Sequence, residues 1–285
     1  MTPEELGLDV TIGIAAIAPI ERVIVSVSDR MISFGDYTQA IDNGALKSPT
    51  IAEKWGLVWA GYVHEVWPIL EKVRQKLEGP RGTNWSSEKV KTAFNEAYAE
   101  CFQHEFTTRE LAKYGYKSVD DFKSKGRQEL GDYFHDLLIS LSKFSLNAQF
   151  VVYGFEDEDD HYPTIFEVDS PGFITDHHQL NYAAVGSGSM MALAALRRRS
   201  LEHLSLPQIL YRLLEAKFSA ETATGVGKTT TVMLHNNYGD MSLLDHRHIE
   251  PIREIWKETL RTPDPEPALE FIRELSGVRN VARND

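Results

Sequence analysis

Cysteine is almost absent from this chain, since Cys101 is the single one among 285 residues. One cysteine excludes an intrachain disulfide and a cysteine-rich zinc cluster, and it fits a reducing compartment. Long apolar runs are also absent, because none approaches the roughly 18 residues of a membrane-spanning helix. The first residues carry acid where a secretory signal carries base. We therefore expect a cytoplasmic protein that is not exported and has no membrane partner.

Basic residues are in short supply as well. Lysine and arginine number 30 against 42 aspartates and glutamates, which gives a formal net charge of −12. Such a surface repels phosphate backbones and anionic lipid headgroups. We therefore expect no nucleic-acid partner, and we find no motif that calls for a cofactor.

The residue pattern predicts alternating blocks of strands and helices. Two alternating or apolar strands at 10–17 and 23–29 form a hairpin, and further strands are predicted at 57–61, 148–155, 164–168, 229–235 and 241–244. Helices are predicted at 64–77, 86–111, 126–143, 190–199, 206–218 and 249–260. This succession suits an α+β, four-layer αββα sandwich with two packed sheets and helices outside.

The domain organisation follows from the same pattern. We assign residues 1–262 to one domain with a helical insertion near 112–145, and 263–285 to a C-terminal tail with a short helix.

The helices at 64–77 and 86–111 carry more apolar and aromatic residues than a monomer surface tolerates. They are therefore predicted to contact neighbouring subunits.

The most informative stretch is an apolar strand at 182–185 that runs through Gly186, Ser187, Gly188 and Ser189 into a small-residue helix. Around it stand the opening hairpin with Asp29, Lys47 ahead of Ile51, and the strand that ends at Gly61. In this order the segments resemble the proteasome subunit family, and the chain looks like a divergent bacterial-type member. The likeness covers about residues 10 to 234. It implies the N-terminal-nucleophile (Ntn) hydrolase fold and assembly of identical subunits into rings.

The resemblance also implies a site. In this family the nucleophile is the hydroxyl or thiol of the chain's own first residue, whose α-amine acts as base beside a lysine. Asp29 matches the acidic residue that orients the lysine, Lys47 matches the lysine, and Ser187 matches the serine near the terminal amine. Glu221 and Thr224 stand in for a later aspartate–serine pair. Each match also has a structural interpretation, such as an ion pair for Lys47 and Asp29.

The nucleophile itself is missing from this alignment. Placing Thr11 to Ile14 on the family's opening strand puts Asp9 in the nucleophile position, and aspartate has no hydroxyl to activate. The chain is then a noncatalytic ring subunit. An alternative is processing that exposes Thr2 or Thr11, which would give an active peptidase or amidohydrolase. A third hypothesis is a binding module that uses the vestigial cleft for a small ligand.

Two other patterns are weaker. Residues 222–229 look like a phosphate-binding loop, but that loop follows a strand and precedes a helix, whereas here a helix precedes and a strand follows. His246 and His248 fall on one face if they lie in a strand, which makes zinc conceivable, but we interpret them as surface histidines. We therefore predict no metal site.

Overall fold

The structure, a computed structural model, describes residues 11–34, 39–41, 46–80, 82–156, 162–177, 179–198, 200–223, 225–259 and 266–275, with backbone alone for 32–34 and 39–41. Its centre is a pair of five-stranded antiparallel sheets. The first sheet has the spatial order Tyr182–Val185 (β10), Gly13–Ala18 (β1), Val23–Asp29 (β2), Thr230–Asn236 (β11) and Met241–Leu244 (β12). The second has the order Thr50–Ala52 (β5), Trp55–Gly61 (β6), Ala148–Phe155 (β7), Pro163–Asp169 (β8) and Phe173–Asp176 (β9).

The two sheets pack face to face through apolar side chains that alternate along their strands. Ala15, Ile17 and Ile24 from the first sheet meet Val58 and Tyr153 from the second, and all are at most 1% exposed. The strands of the hairpin β1–β2 are buried on both faces. This explains why their sequences are nearly continuous runs of apolar and small residues.

Helices cover both outer faces. The second sheet is covered by Val63–Lys76 (α1) and Ser87–Phe106 (α2), whose side chains Val66, Phe94 and Tyr98 are fully buried. The first sheet is covered by Ser189–Leu196 (α5), Leu206–Ala220 (α6), His246–Glu258 (α7) and Glu266–Glu274 (α8). The predicted four-layer αββα sandwich is confirmed.

The region predicted as an insertion differs in detail from the expectation. Helix α2 continues through a π-helical turn, Thr107–Leu111, and a 3-10 turn, Ala112–Tyr114. The predicted helix over 126–143 is in fact two helices, Val119–Leu130 (α3) and Tyr133–Lys143 (α4). Gly131 separates them with a φ of +57°, a conformation that glycine adopts without steric cost.

Four short strands have no counterpart among the predicted ones, and one of them is β5, which pairs with β6. Ile32–Phe34 (β3) and Gln39–Ile41 (β4) form a hairpin between β2 and Lys47, in a stretch that reads as polar turns. Strand β9 is mostly exposed, so it shows no apolar alternation.

The helix predicted in the tail is α8, and its residues Ala268, Leu269 and Ile272 join the core beside α6 and α7. The domain boundary at 262 remains a prediction.

The exposed faces of α1 and α2 are more polar than the sequence suggested. Most of their apolar side chains point inward to the second sheet. The outer faces carry ion pairs, such as Lys72 with Glu100 at 2.7 Å and Lys76 with Glu96 at 3.0 Å. Tyr62, Val63 and Trp67 are the large apolar residues that remain exposed around the start of α1.

In the described part of the chain, no helix combines the length and apolar character needed to cross a membrane.

Candidate active site

A buried threonine, carboxylate and ammonium meet at one end of the sheet pair. The hydroxyl of Thr11 donates to Asp29 Oδ1 at 2.6 Å, and Lys47 Nζ contacts the same hydroxyl. Lys47 Nζ also donates to Asp29 Oδ1 at 3.0 Å, so the three groups close a triangle. None of the three residues is more than 2% exposed.

Both sheets contribute to this triangle. Asp29 is the last residue of β2 in the first sheet, where it lies opposite Thr230 of β11. Lys47 is tied to the second sheet, because its carbonyl accepts a hydrogen bond from the Trp59 N–H at 3.2 Å. Its ammonium lies 5.6 Å from the centroid of the Trp59 ring. The site is therefore complete only when the two sheets are packed together.

Backbone N–H groups hold the Asp29 carboxylate. Oδ1 accepts from the Ile12 N–H at 3.2 Å, and Oδ2 accepts from Met31 at 3.3 Å and Gly227 at 3.1 Å. A buried carboxylate needs such donors to replace the water that it loses on folding. Asp29 is thus fixed from three directions, and it fixes Thr11 and Lys47 in turn.

The Gly–Ser–Gly turn before α5 contacts the backbone of Thr11. The Thr11 N–H donates to Ser187 Oγ at 3.3 Å, and the Thr11 carbonyl accepts from the Gly188 N–H at 3.2 Å. Gly186 has a φ of +94°, and a Cβ there would lie 2.5 Å from the Thr11 carbonyl oxygen. Glycine is therefore required by both conformation and space, and Ser187 lies beside the nitrogen of Thr11 as a result.

The structure brings together Thr11, Asp29, Lys47 and Ser187 from the predicted set. The predicted ion pair of Lys47 and Asp29 is present. The hydroxyl at the centre is that of Thr11, whereas the sequence alignment had put Asp9 in the nucleophile position; Asp9, like Thr2 and Thr224, lies outside the described residues. Residues 9 and 11 share a strand face by the period of two, so the pattern alone could not choose between them.

Glu221 does not join this group as the resemblance implied. Among the described contacts it has none with Thr11 or Ser187, and its two carboxylate oxygens contact Lys217 and Arg253. Two mostly buried cations therefore balance the charge of this carboxylate. The spacing of Lys217 and Glu221, four residues apart near the end of a predicted helix, was the available signal for this pairing.

Comparisons with known proteins agree with this architecture. No protein-family model matches the chain, and no curated protein matches it in sequence. Among solved structures it resembles Anbu from Hyphomicrobium sp. strain MC1, a Gly-1 mutant, with a TM-score of 0.62 and 13% identity over 88% of this chain and 95% of that one. It also resembles Anbu (ancestral beta-subunit) from Yersinia bercovieri, with a TM-score of 0.61 and 15% identity over 90% of this chain and 99% of the other.

The chain has a proteasome-type fold. At 13% and 15% identity the likeness to Anbu shows the fold alone, so the chemistry has to be argued from the residues of this chain. Those residues place a hydroxyl against an ammonium and a carboxylate, and they place a serine against the nitrogen of the same threonine. In the chain as it stands the Thr11 nitrogen is a peptide N–H that donates to Ser187, so it is not a base.

Within the residues that the structure describes, the remaining sequence patterns do not build a second site. His246 and His248 lie in the first turn of α7 rather than on a strand, and they lie near Glu250 at 3.5 Å and Asp245 at 3.1 Å respectively. No group of three or more potential metal ligands occurs among the residues that the structure describes. The loop at 222–229 follows α6 and precedes β11, the reverse of a phosphate-binding loop.

Proposed function

We propose that this protein is an N-terminal-nucleophile hydrolase that cleaves amide bonds with Thr11, after the bond between Val10 and Thr11 has been cut. The observation that carries the proposal is the position of Thr11, whose hydroxyl contacts both Lys47 and Asp29 while its nitrogen lies 3.3 Å from Ser187 Oγ. A threonine with a purely structural role has no need of a buried ammonium at its hydroxyl, since burying that charge is costly.

The first step is processing. The Thr11 oxygen attacks the carbonyl carbon of Val10, the bond from that carbon to the Thr11 nitrogen breaks, and an ester forms while the hydroxyl proton passes to that nitrogen. Water then hydrolyses the ester, so residues 1–10 leave with a carboxylate and Thr11 keeps a free amine and a free hydroxyl. Thr11 is only 2% exposed in the intact chain, so the proposal requires that processing also opens the site to substrate.

Turnover uses the same groups. The freed amine accepts the hydroxyl proton of Thr11, and the Lys47 ammonium stabilises the developing negative charge on that oxygen. Attack on a substrate amide gives an acyl ester on Thr11 and releases the amine product, which takes up the proton. Water then hydrolyses the ester. Asp29 holds Lys47 in place, and Ser187 holds the amine.

A noncatalytic subunit is the second candidate. The observation that favours it is the residue before Thr11, which is Val10 rather than the glycine at which such chains usually cut themselves. In both candidates we propose that the chain associates with copies of itself in the cytoplasm. The solved structure from Yersinia bercovieri is described as a beta-subunit, and this description supports the proposal of self-association.

Intact mass and N-terminal sequencing of the purified protein test the proposal. The expected result is a chain that begins at Thr11, and an epoxyketone inhibitor, which requires a free N-terminal threonine, should add to that residue. Thr11→Ala and Lys47→Met should abolish cleavage and labelling, whereas Thr164→Ala in the second sheet should change neither. A chain that keeps residues 1–10 and resists the inhibitor under all conditions would leave the noncatalytic subunit as the function.

A further inference from the structure

A second buried ionic cluster lies beside the Thr11 site. Lys217, near the end of α6, is fully buried, and its ammonium contacts Glu221 and donates to the carbonyl of Gly227 at 2.5 Å. The other oxygen of Glu221 contacts Arg253 of α7, which is 6% exposed. Arg253 in turn donates to the Lys228 carbonyl at 2.7 Å and to Thr230 Oγ1 at 3.2 Å.

This cluster holds the segment that contacts Asp29. Its two cations bond the carbonyls of Gly227 and Lys228. The N–H of Gly227 points the other way and donates to Asp29 Oδ2 at 3.1 Å. One peptide segment therefore has a buried ammonium on its carbonyl side and the site's carboxylate on its N–H side.

We infer that Lys217 is a positioning residue for the Thr11 site, acting through Gly227 on Asp29 and from there on Lys47 and Thr11. This inference rests on the proposed function for its chemical consequence. A fully buried ammonium is a costly way to secure a surface loop. Burial lowers the pKa of Lys217 even though Glu221 opposes that change. That cost is explained if Lys217 holds the Asp29 carboxylate in position through Gly227.

The decisive comparison is between Lys217→Met and Arg212→Met. Arg212 lies on the same helix and is 7% exposed, and it pairs with Glu215 at 2.9 Å, so its removal also deletes a mostly buried cation. This ion pair lies within α6 rather than on the 225–230 segment. Amide hydrogen exchange should accelerate at 225–230 and at Met31 in Lys217→Met, and it should stay at the wild-type rate there in Arg212→Met.

The second measurement is the rate of labelling at Thr11. We expect Lys217→Met to lower the first-order inactivation rate by the epoxyketone at least about tenfold with unchanged inhibitor affinity, because small displacements of reacting groups are costly. A purely structural defect would instead lower the labelled fraction at an unchanged rate. Wild-type exchange at 225–230, or an unchanged inactivation rate, would overturn the inference.

A second variant covers the case in which Lys217→Met does not fold, and hydrogen exchange covers the case in which Thr11 is never labelled. If Lys217→Met does not fold, Glu221→Gln keeps the shape of the cluster and removes its negative charge, and it should produce the same changes to a smaller degree. If the wild-type chain is never labelled, the proposed function fails, and hydrogen exchange alone then decides whether Lys217 positions Asp29.

Discussion

At the scale of single residues, burial decides how the polar side chains of this protein behave. Asp29 and Lys47 tolerate burial because each has a charged partner and further donors or acceptors. His235 on β11 is the opposite case. It is fully buried against the rings of Tyr153 and Phe155, and neither of its ring nitrogens has a hydrogen-bond partner among the described groups.

We therefore expect the protein to lose stability in acid because of His235. Burial lowers its pKa from 6.5 to about 4. Between pH 6.5 and about 4 the unfolded chain binds a proton at this residue and the folded chain does not. The free energy of unfolding therefore has its full value above pH 6.5 and decreases as the pH falls towards 4. At about 1.4 kcal/mol per pKa unit, the loss amounts to about 3 kcal/mol.

Urea unfolding between pH 4 and 7 measures this loss. The variant His235→Phe cannot take up the proton, so its free energy of unfolding should fall less than that of the wild type over the same range. Parallel pH profiles for the two proteins would show that His235 does not titrate as described.

At the scale of elements, the turn between β10 and α5 is the part of the fold on which Thr11 depends most directly. Gly186→Ala adds a Cβ that would lie 2.5 Å from the carbonyl oxygen of Thr11, in a backbone with a φ of +94°. Gly115→Ala is a matched control, because Gly115 has a φ of +86° and open space around the added atom. The left-handed conformation costs both variants about 1 kcal/mol.

We expect Gly186→Ala to lose clearly more stability than Gly115→Ala in chemical unfolding. We also expect it to lose cleavage before Thr11, since the added methyl group displaces that residue. Cleavage at the wild-type rate in Gly186→Ala would contradict the proposal that this turn positions Thr11.

At the scale of the whole molecule, exposed apolar side chains point to self-association. Tyr62, Val63 and Trp67 are 44%, 40% and 51% exposed around the start of α1, and Pro68 adjoins them. Clusters of this kind are typical of contact surfaces, whereas single exposed apolar residues are common on monomers. We predict that a second copy of the chain covers this surface.

Light scattering at several concentrations tests this prediction. The expected mass is a multiple of the 32.3 kDa chain, and Trp67→Glu should lower it. Tyr238→Glu is the control and should leave the mass unchanged, because Tyr238 is 62% exposed on a turn of the first sheet. A mass of one chain across the whole concentration range would contradict self-association.

The sequence alone determined the layers of this fold and part of its site. Alternation in 10–17 and 23–29 and helical spacing in 64–77 are local patterns, and local patterns persist whatever packs around them. The layers of the sandwich could therefore be predicted, whereas the Lys47–Asp29 pair and the place of Ser187 were expected only from the resemblance to the proteasome subunit family. The split of 126–143 at Gly131 could not, because a glycine inside a helical pattern is compatible with either outcome.

Tertiary structure decided which residue occupies the centre of the site. The register taken from the resemblance put Asp9 in the nucleophile position, and only the packing of β1 against β2 and the 186–188 turn brings the Thr11 hydroxyl to Lys47. Packing also brings Arg253 to Glu221 across 32 positions of sequence. Contacts of this range depend on how sheets and helices stack, which no local periodicity encodes.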